Sequence, residues 1–287
     1  MNPGEHWIGE AFTPDDIWQH RVTKVFAECQ TPYQQMLVVE SPVYGKALVL
    51  DNHWQTCVGD EFLYHEPIVH TPLALHPNPR RILIAGGADG GAAREALKWN
   101  SVEEILLVDI DGDAVDACRK WLPEIHQGSL DHPQVKVQIG DAFEVMRDAR
   151  NWDVIIADLT DPIETGPACK LFTHEFFSFC QRALSPGGRF INQAGSMSPP
   201  LMSPLIKVAK TIGSVFKHSL VVSANVPTYG SPWGFVLASD APIERRPDPE
   251  IIDQSLKRSI TGSLRMFDGQ TLLGLMQTPK YVRDRLQ

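Results

Sequence analysis

The sequence predicts an α/β fold: a doubly wound, mostly parallel sheet with helices on both faces, preceded by a small N-terminal antiparallel β-sheet domain. Three observations predict it. From Arg81 onward, short apolar runs alternate with helical segments. The first of these strands runs into the small residues Gly86-Gly87-Ala88-Asp89-Gly90-Gly91. Acidic residues then close successive strands, and strand ends are where an open α/β sheet binds ligands.

The elements follow in order. Before residue 60 the chain reads as short strands, around 34–41 (QQMLVVES), 45–51 (GKALVLD) and Trp54 to Val58. Ser41-Pro42-Val43-Tyr44-Gly45 and Asp51-Asn52 supply the turns. Residues 62–75 give a helical pattern with Phe62, His65, Ile68, Val69 and Leu73 on one face. ILIAG (82–86), ILLVD (105–109), VKVQI (135–139), DVIIAD (153–158) and RFINQ (189–193) read as strands. Helices are predicted from the glycine run to about Trp99, over about 112–121, near 142–149 and over 173–184. Right-handed crossovers then make the topology Rossmann-like. The Pro-rich stretch 241–249 reads as a loop. The domains are expected at 1–60 and 61–287.

Composition excludes several classes. The 287 residues are 43% hydrophobic and 21% charged, which is ordinary for a globular protein. No apolar run reaches the ~18–20 residues of a membrane span. The start, MNPGEHWIGEAF, lacks a basic region followed by an apolar one, so a cytoplasmic location is expected. Lys plus Arg number 26 against 35 Asp plus Glu, a net charge of −9, which argues against nucleic acid as partner. Five cysteines without a CxxC spacing fit reduced thiols rather than a disulfide framework or a zinc site.

The glycine run reads Gly86-x-Ala88-x-x-Gly91, short of the strict dinucleotide fingerprint, and a tight turn without ligand is the alternative. Asp109 follows Asp89 by twenty residues, the spacing of a ribose-binding acid. Asp141 closes the third strand, where it meets an adenine amino group or caps the next helix. The row fits an adenosine moiety and does not choose between a pyrophosphate and a sulfonium. Asp158 and Asp161 project from the fourth strand end, where carboxylates bind an amine and take its proton; a helix cap and a simple turn are the alternatives.

Together with YGKALVLDNHWQT, GDEFLYHEPIVHTPL, ILIAGGADGGAAREAL, ILLVDID, DAFEVM, DVIIADLTDPIETGPACKLF and NVPTYGSPWGF, these residues make the chain resemble the polyamine aminopropyltransferases, the spermidine synthase family. The match runs from about residue 34 to 238. Class I methyltransferases share the Rossmann-like core but not DEFLYHE followed by GGADGG and DLTDP. The resemblance implies transfer of the aminopropyl group of decarboxylated S-adenosylmethionine to an amine, normally putrescine. Spermidine and 5'-methylthioadenosine are the products, and the donor is a co-substrate, with no cofactor or metal. It implies that Gln34, Leu50, Gln55 and Gly86 line the donor site and that Asp109 binds ribose. Asp141 and Ala142 sit by the adenine, with Pro167 packed on it. Asp89 holds the aminopropyl ammonium, Asp158 accepts the proton, and Asp161 is a second amine anchor. Tyr64, His65, Gln193 and Tyr229 shape the amine tunnel, and Trp7 closes its far end. Self-association as a homodimer or homotetramer through the N-terminal sheet is also implied.

Departures bear on specificity. Ala88 stands where the family has glycine, Asp109 where glutamate is commoner, and Asn52 where glycine is usual. Segment 196–210 lacks the acidic residue that some relatives use on the distal amine, so cadaverine, spermidine and agmatine stay open as acceptors. Glu164, on an expected gate loop, reads as solvent-facing. His70 and His174 read as helix-face residues, Cys118 and Cys180 as helix core, Trp99, Trp121 and Trp152 as packing or surface aromatics. Two further readings compete: a methyltransferase using the intact donor on a small amine, and a non-catalytic adenosine- or polyamine-binding regulator.

Overall fold

The computed structural model describes residues 6–161 and 169–287. The chain opens with a hairpin, β1 (His6–Thr13) and β2 (Asp16–Val22), whose strands pair antiparallel as a separate two-stranded sheet. A four-stranded antiparallel sheet follows: β3 (Lys24–Gln30), β4 (Gln35–Ser41), β5 (Gly45–Leu50) and β6 (His53–Cys57). The three strands read from sequence are β4, β5 and β6. β1, β2 and β3 were not separately legible because their residues are mostly exposed and mixed in polarity. The turn into β6 is built by Asp51 and Asn52, both at positive φ, which asparagine and aspartate tolerate.

Helix α1 (Phe62–Ala74) joins the N-terminal sheets to the main sheet. It is buried all round from Tyr64 to Leu73 rather than on one face. The reason is its position, packed against the sheet on one side and against other helices on the other.

The remaining elements are β7 (Arg81–Gly86), α2 (Gly91–Leu97), β8 (Glu104–Asp109), α3 (Gly112–Trp121), α4 (Pro123–His126), β9 (Val135–Ile139), α5 (Ala142–Asp148), β10 (Trp152–Asp158), α6 (His174–Ala183), β11 (Leu184–Ser196), α7 (Ser203–Val215), β12 (His218–Val226), β13 (Ser231–Ser239), α8 (Pro249–Ser259), α9 (Gly269–Leu275) and α10 (Lys280–Leu286). The sheet order is β12-β13-β11-β10-β7-β8-β9. β11 through β9 run parallel, and β13 and β12 are antiparallel at one edge. Strand order therefore reverses between β7 and β10, the switch point where such sheets open a ligand crevice.

Two apolar layers cover the sheet. One side packs Ile82, Ile84, Ile105, Ile156 and Phe235 against α1, α2, α8 and α9. The other packs Leu83, Ile155 and Phe190 against α5, α6 and α7, with Phe176 and Phe177 fully buried. Cys180 lies in the second of these layers and Cys118 is buried on α3 under the N-terminal sheet, and all five cysteines are free. The N-terminal sheet docks through Met36, Val38, Leu48 and Leu50 onto Ala114, Cys118, Leu122 and Ile125. That contact roofs the crevice with β4–β6. No described helix is long and apolar enough to cross a membrane.

Candidate active site

One cavity occupies the switch point and runs under the N-terminal sheet. Gly86 ends β7 and pairs in register with Asp158 on β10. Its φ is +84°, and a Cβ there would lie 2.0 Å from the Asp158 carbonyl oxygen, so only glycine brings the two strand ends together. Gly91 opens α2 for a similar reason, since a Cβ would stand 2.4 Å from the His65 ring.

At one end the cavity is lined by Gln34, Leu50, Gly86, Asp109, Asp141 and Ala142. The Asp109 carboxylate accepts from the Asp111 N–H at 2.9 Å, and burial raises its pKa to about 6. Asp141 caps α5, its carboxylate accepting from the Phe143 N–H at 2.9 Å, and its other oxygen is paired with Lys170. The cap reading of Asp141 is thus what the structure shows, and the same residue also lines the cavity. Gln34 donates to Asp111 at 2.9 Å.

At the centre stand Tyr64, His65, Asp89 and Asp158. The Tyr64 hydroxyl donates to Asp158 Oδ1 at 2.6 Å. Burial, with Asp89 nearby, lifts Asp158 to about 6 against the opposing pull of His65 and Tyr64. Asp89 goes the other way. Burial pushes it up, but His65, the Gly91 N–H and Thr56 outweigh that and hold it at about 2. The His65 Nε2 lies 3.4 Å from Asp89 Oδ2, while Nδ1 bonds Glu61 at 2.6 Å. Burial disfavours the His65 cation, yet the two carboxylates raise its pKa well above the ordinary value. Two neighbouring carboxyl groups thus differ in proton affinity, which fits one to bind a cation and the other to accept a proton.

His65 is itself held by a buried chain of charges. Glu61 bonds Arg94 at 2.7 Å, Arg94 bonds Glu95 at 2.8 Å, and Glu95 meets both His70 and Lys98 at 2.8 Å. Sequence reading missed this chain. Its legible sign was Arg94-Glu95 inside an otherwise small, apolar helix. His70, read as a helix-face residue, is fully buried and also accepts from Trp99 Nε1 at 3.0 Å. Glu66 is buried too, and its carboxylate accepts from the N–H groups of Arg265, Met266 and Phe267 at 2.7–2.8 Å, tying α1 to the C-terminal segment.

At the far end stand Asp161, Gln193, Tyr229 and Gln55, joined by two residues not foreseen, Glu10 and His53. Asp161 is raised to about 6 by burial and by Glu10, and Gln193 donates to it at 3.3 Å. His53 Nδ1 lies 3.0 Å from Glu10. The three side chains Glu10, His53 and Asp161 are the one described group whose donor atoms converge in the manner of a metal site. Within it His53 and Glu10 form an ion pair, while Asp161 takes its hydrogen bond from Gln193. Tyr229 is placed by its neighbours: Thr228 is bound by Asp60, by Trp18 Nε1 at 3.1 Å and by His20 at 2.9 Å. Trp233 also lines the cavity.

Trp7 does not reach this cavity. β1 alternates, so buried Ile8 points inward and Trp7 outward at 36% exposure. The residue that β1 does deliver is Glu10. Pro167 and Glu164, with the expected gate loop, lie outside the described residues.

Comparison with known proteins places this geometry. Residues 61–247 match the family model described as the spermine/spermidine synthase domain, and residues 6–57 match the spermidine synthase tetramerisation domain. A polyamine aminopropyltransferase of Synechococcus sp. (strain JA-2-3B'a(2-13)) is 46% identical over 285 residues, covering 96% of this chain and 91% of the relative. One from Sulfurisphaera tokodaii is 39% identical over 283 residues, covering 98% and 93%. A crystal structure of spermidine synthase in complex with the transition state analogue AdoDATO superposes with a TM-score of 0.91 at 31% identity, covering 98% of this chain and 94% of that one. The spermidine synthase of Thermotoga maritima gives 0.90 at 30% identity, covering 100% and 96%. With the strand order, the switch-point cavity and similarity over nearly its whole length, the protein is an aminopropyl-transferring enzyme and belongs to the spermine/spermidine synthase family.

Proposed function

We propose that the chain moves the aminopropyl group of decarboxylated S-adenosylmethionine to putrescine, giving spermidine and 5'-methylthioadenosine. The observation that carries this reading is the order of groups along one cavity, which the strand order β11-β10-β7-β8-β9 sets. An adenosine-type end comes first, then Asp89 and Asp158 with opposite proton affinities, then an acidic clasp at Glu10 and Asp161.

In this reading Asp109 takes the ribose hydroxyls, while Asp141 and Ala142 border the adenine. Gln34 and Leu50 flank the sulfur, and Gln55, whose carbonyl accepts from the Tyr229 hydroxyl, stands where the propyl chain meets the acceptor. Asp89, an anion held by His65, binds the aminopropyl ammonium. The acceptor lies across Tyr64, Gln193 and Tyr229, with its distal ammonium at Asp161 and Glu10. Its reacting nitrogen meets Asp158. An alkylammonium near pKa 10 lies three pH units from neutrality, about 4 kcal/mol at 1.36 kcal/mol per unit. Asp158 takes that proton, and the freed lone pair attacks the propyl carbon. The C–N bond forms as the C–S bond breaks, and the bonding pair returns to sulfur, cancelling its charge. Because the sulfonium carries its own activation, the reaction calls for no cofactor or metal. Holding nucleophile and carbon in line supplies the rest.

The same reading includes assembly as a homodimer or homotetramer. Its support is the tetramerisation-domain match and the large exposed apolar residues of β1–β5 and their turns, Trp7, Ile17, Trp18, Val25 and Val43. It also includes a cytoplasmic site of action, which suits five unpaired cysteines.

The test is mass spectrometry of products from the decarboxylated donor offered with putrescine, cadaverine, spermidine and agmatine together. Spermidine with equimolar methylthioadenosine is expected. A different aminopropylated amine as main product would contradict the acceptor assignment, and methylthioadenosine without any new amine would contradict the transfer.

A further inference from the structure

His53 places a second cationic group inside the clasp that the acceptor must enter. Glu10, His53 and Asp161 come from β1, β6 and the segment after β10, and their donor atoms lie within 4.8 Å of one another. His53 Nδ1 sits 3.0 Å from Glu10 Oε1, with 36% of the imidazole side chain exposed and 17% of the glutamate. The charged groups that face the ring are all carboxylates: Glu10 from β1, Asp161 from beyond β10 and Asp51 from the β5–β6 turn. The Glu10 carboxylate, at ion-pair distance from Nδ1, leads the causes that raise the imidazole pKa, against burial. An imidazolium and an alkylammonium are alternative cations for one carboxylate, and seating both would set like charges side by side.

We propose that His53 is an acceptor-discriminating residue: its imidazolium is seated on Glu10 in the empty site, and the distal ammonium of the acceptor takes that place, so that acceptor binding is linked to loss of the His53 proton to solvent. This rests on reading Glu10 and Asp161 as the distal-ammonium clasp. The exchange leaves the net charge of the clasp unchanged, two carboxylates and one cation before and after. It also selects acceptors, since an amine without a distal cation cannot replace the imidazolium. One proton released per acceptor bound makes the acceptor KM fall up to tenfold per pH unit as pH rises towards the His53 titration, then level off. Asp161 titrates nearby, so the informative quantity is the difference between the protein and its His53 variants.

The experiment measures the KM of putrescine and of butylamine from about pH 6 to about pH 8.5 for the native protein, His53→Asn and His53→Gln. Calorimetry of putrescine binding to the enzyme–methylthioadenosine complex, in buffers of different ionisation enthalpy, counts protons directly. The native protein is expected to release up to one more proton than either variant. Its putrescine KM should show the steeper pH slope, with the difference in KM and not in kcat, and butylamine should show no difference. Equal proton counts and equal slopes in native and variant proteins would overturn the role of His53. Glu10→Gln and Asp161→Asn separate this from the underlying reading. If either raises the putrescine-to-butylamine KM ratio while the His53 variants match the native protein, the clasp stands and the His53 role falls. If neither changes that ratio, the clasp reading falls and the His53 role with it.

Discussion

Asp158→Asn should silence the enzyme and stabilise it. Asparagine keeps the oxygen that accepts the Tyr64 hydroxyl at 2.6 Å, and removes the charge and the proton affinity. Loss of a positioned base costs about 10²–10⁴-fold in rate, or about 3–5 kcal/mol in the barrier. Stability moves the other way. The Asp158 pKa rises from 3.8 unfolded to about 6 folded, so the folded state favours the neutral form. Above about pH 6 the ionised group therefore opposes folding, and below about pH 4 it has no effect. The full shift corresponds to about 3 kcal/mol, and water in the open cavity reduces it to ~1–3 kcal/mol. The assay pairs kcat/KM with thermal melting at pH 7 and pH 4. A large loss of kcat/KM with a higher Tm at pH 7 is expected, the Tm difference vanishing at pH 4. A variant within fivefold of native activity, or one inactive with a lowered Tm at pH 7, would refute it.

Other expectations follow from the same geometry. Activity should fall as pH drops through about 6, because Asp158 in its proposed role as base must be ionised, and Asp161 at about 6 makes the fall steeper than one proton; a flat profile down to pH 5 would contradict this. Glu66→Ala removes the acceptor of three buried N–H groups and should cost about 3–5 kcal/mol in urea unfolding, with Glu66→Gln costing less; a loss under 1 kcal/mol would show the contact to be dispensable. Gly91→Ala forces His65 aside and with it Asp89, so the donor KM should rise at least about tenfold while an unrelated residue such as Ser263 changed to Ala has no such effect. Asp89→Asn should weaken the decarboxylated donor and relax rejection of intact S-adenosylmethionine, whose carboxylate would otherwise meet like charge; unchanged donor preference in competition assays would count against that role.

The parts of the fold that could be read were those where one local rule decides. β7, β8 and β10 are apolar runs ended by glycine or aspartate, of the kind that interior parallel strands show, whereas β9, at the sheet edge, is legible from the alternation of Val135, Val137 and Ile139 with Lys136 and Gln138. The helix expected over about 112–121 is α3, whose apolar positions keep a helical period and which Asp111 caps. β1 and β3 were obscure because they carry mixed, exposed residues. β12, β13 and α8–α10 were obscure because an antiparallel edge and three C-terminal helices leave no strand–helix rhythm. The centre of the site follows the same division. Asp89, Asp109 and Asp158 are fixed by their places at strand ends, and spacing alone brings them together. Glu10 and His53 arrive from the N-terminal sheets, so their meeting with Asp161 depends on how those sheets dock, which no spacing records. Trp7 fails for a related reason: a single-residue alternation along β1 decides which side chain enters, and the strand had not been recognised.

The central claim is that this cavity takes a donor without a carboxylate and moves its propylamine, not its methyl. The most direct measurement offers decarboxylated and intact S-adenosylmethionine separately with putrescine and identifies the nucleoside released. Methylthioadenosine, from the decarboxylated donor only, is the predicted result. S-adenosylhomocysteine from the intact donor would contradict it.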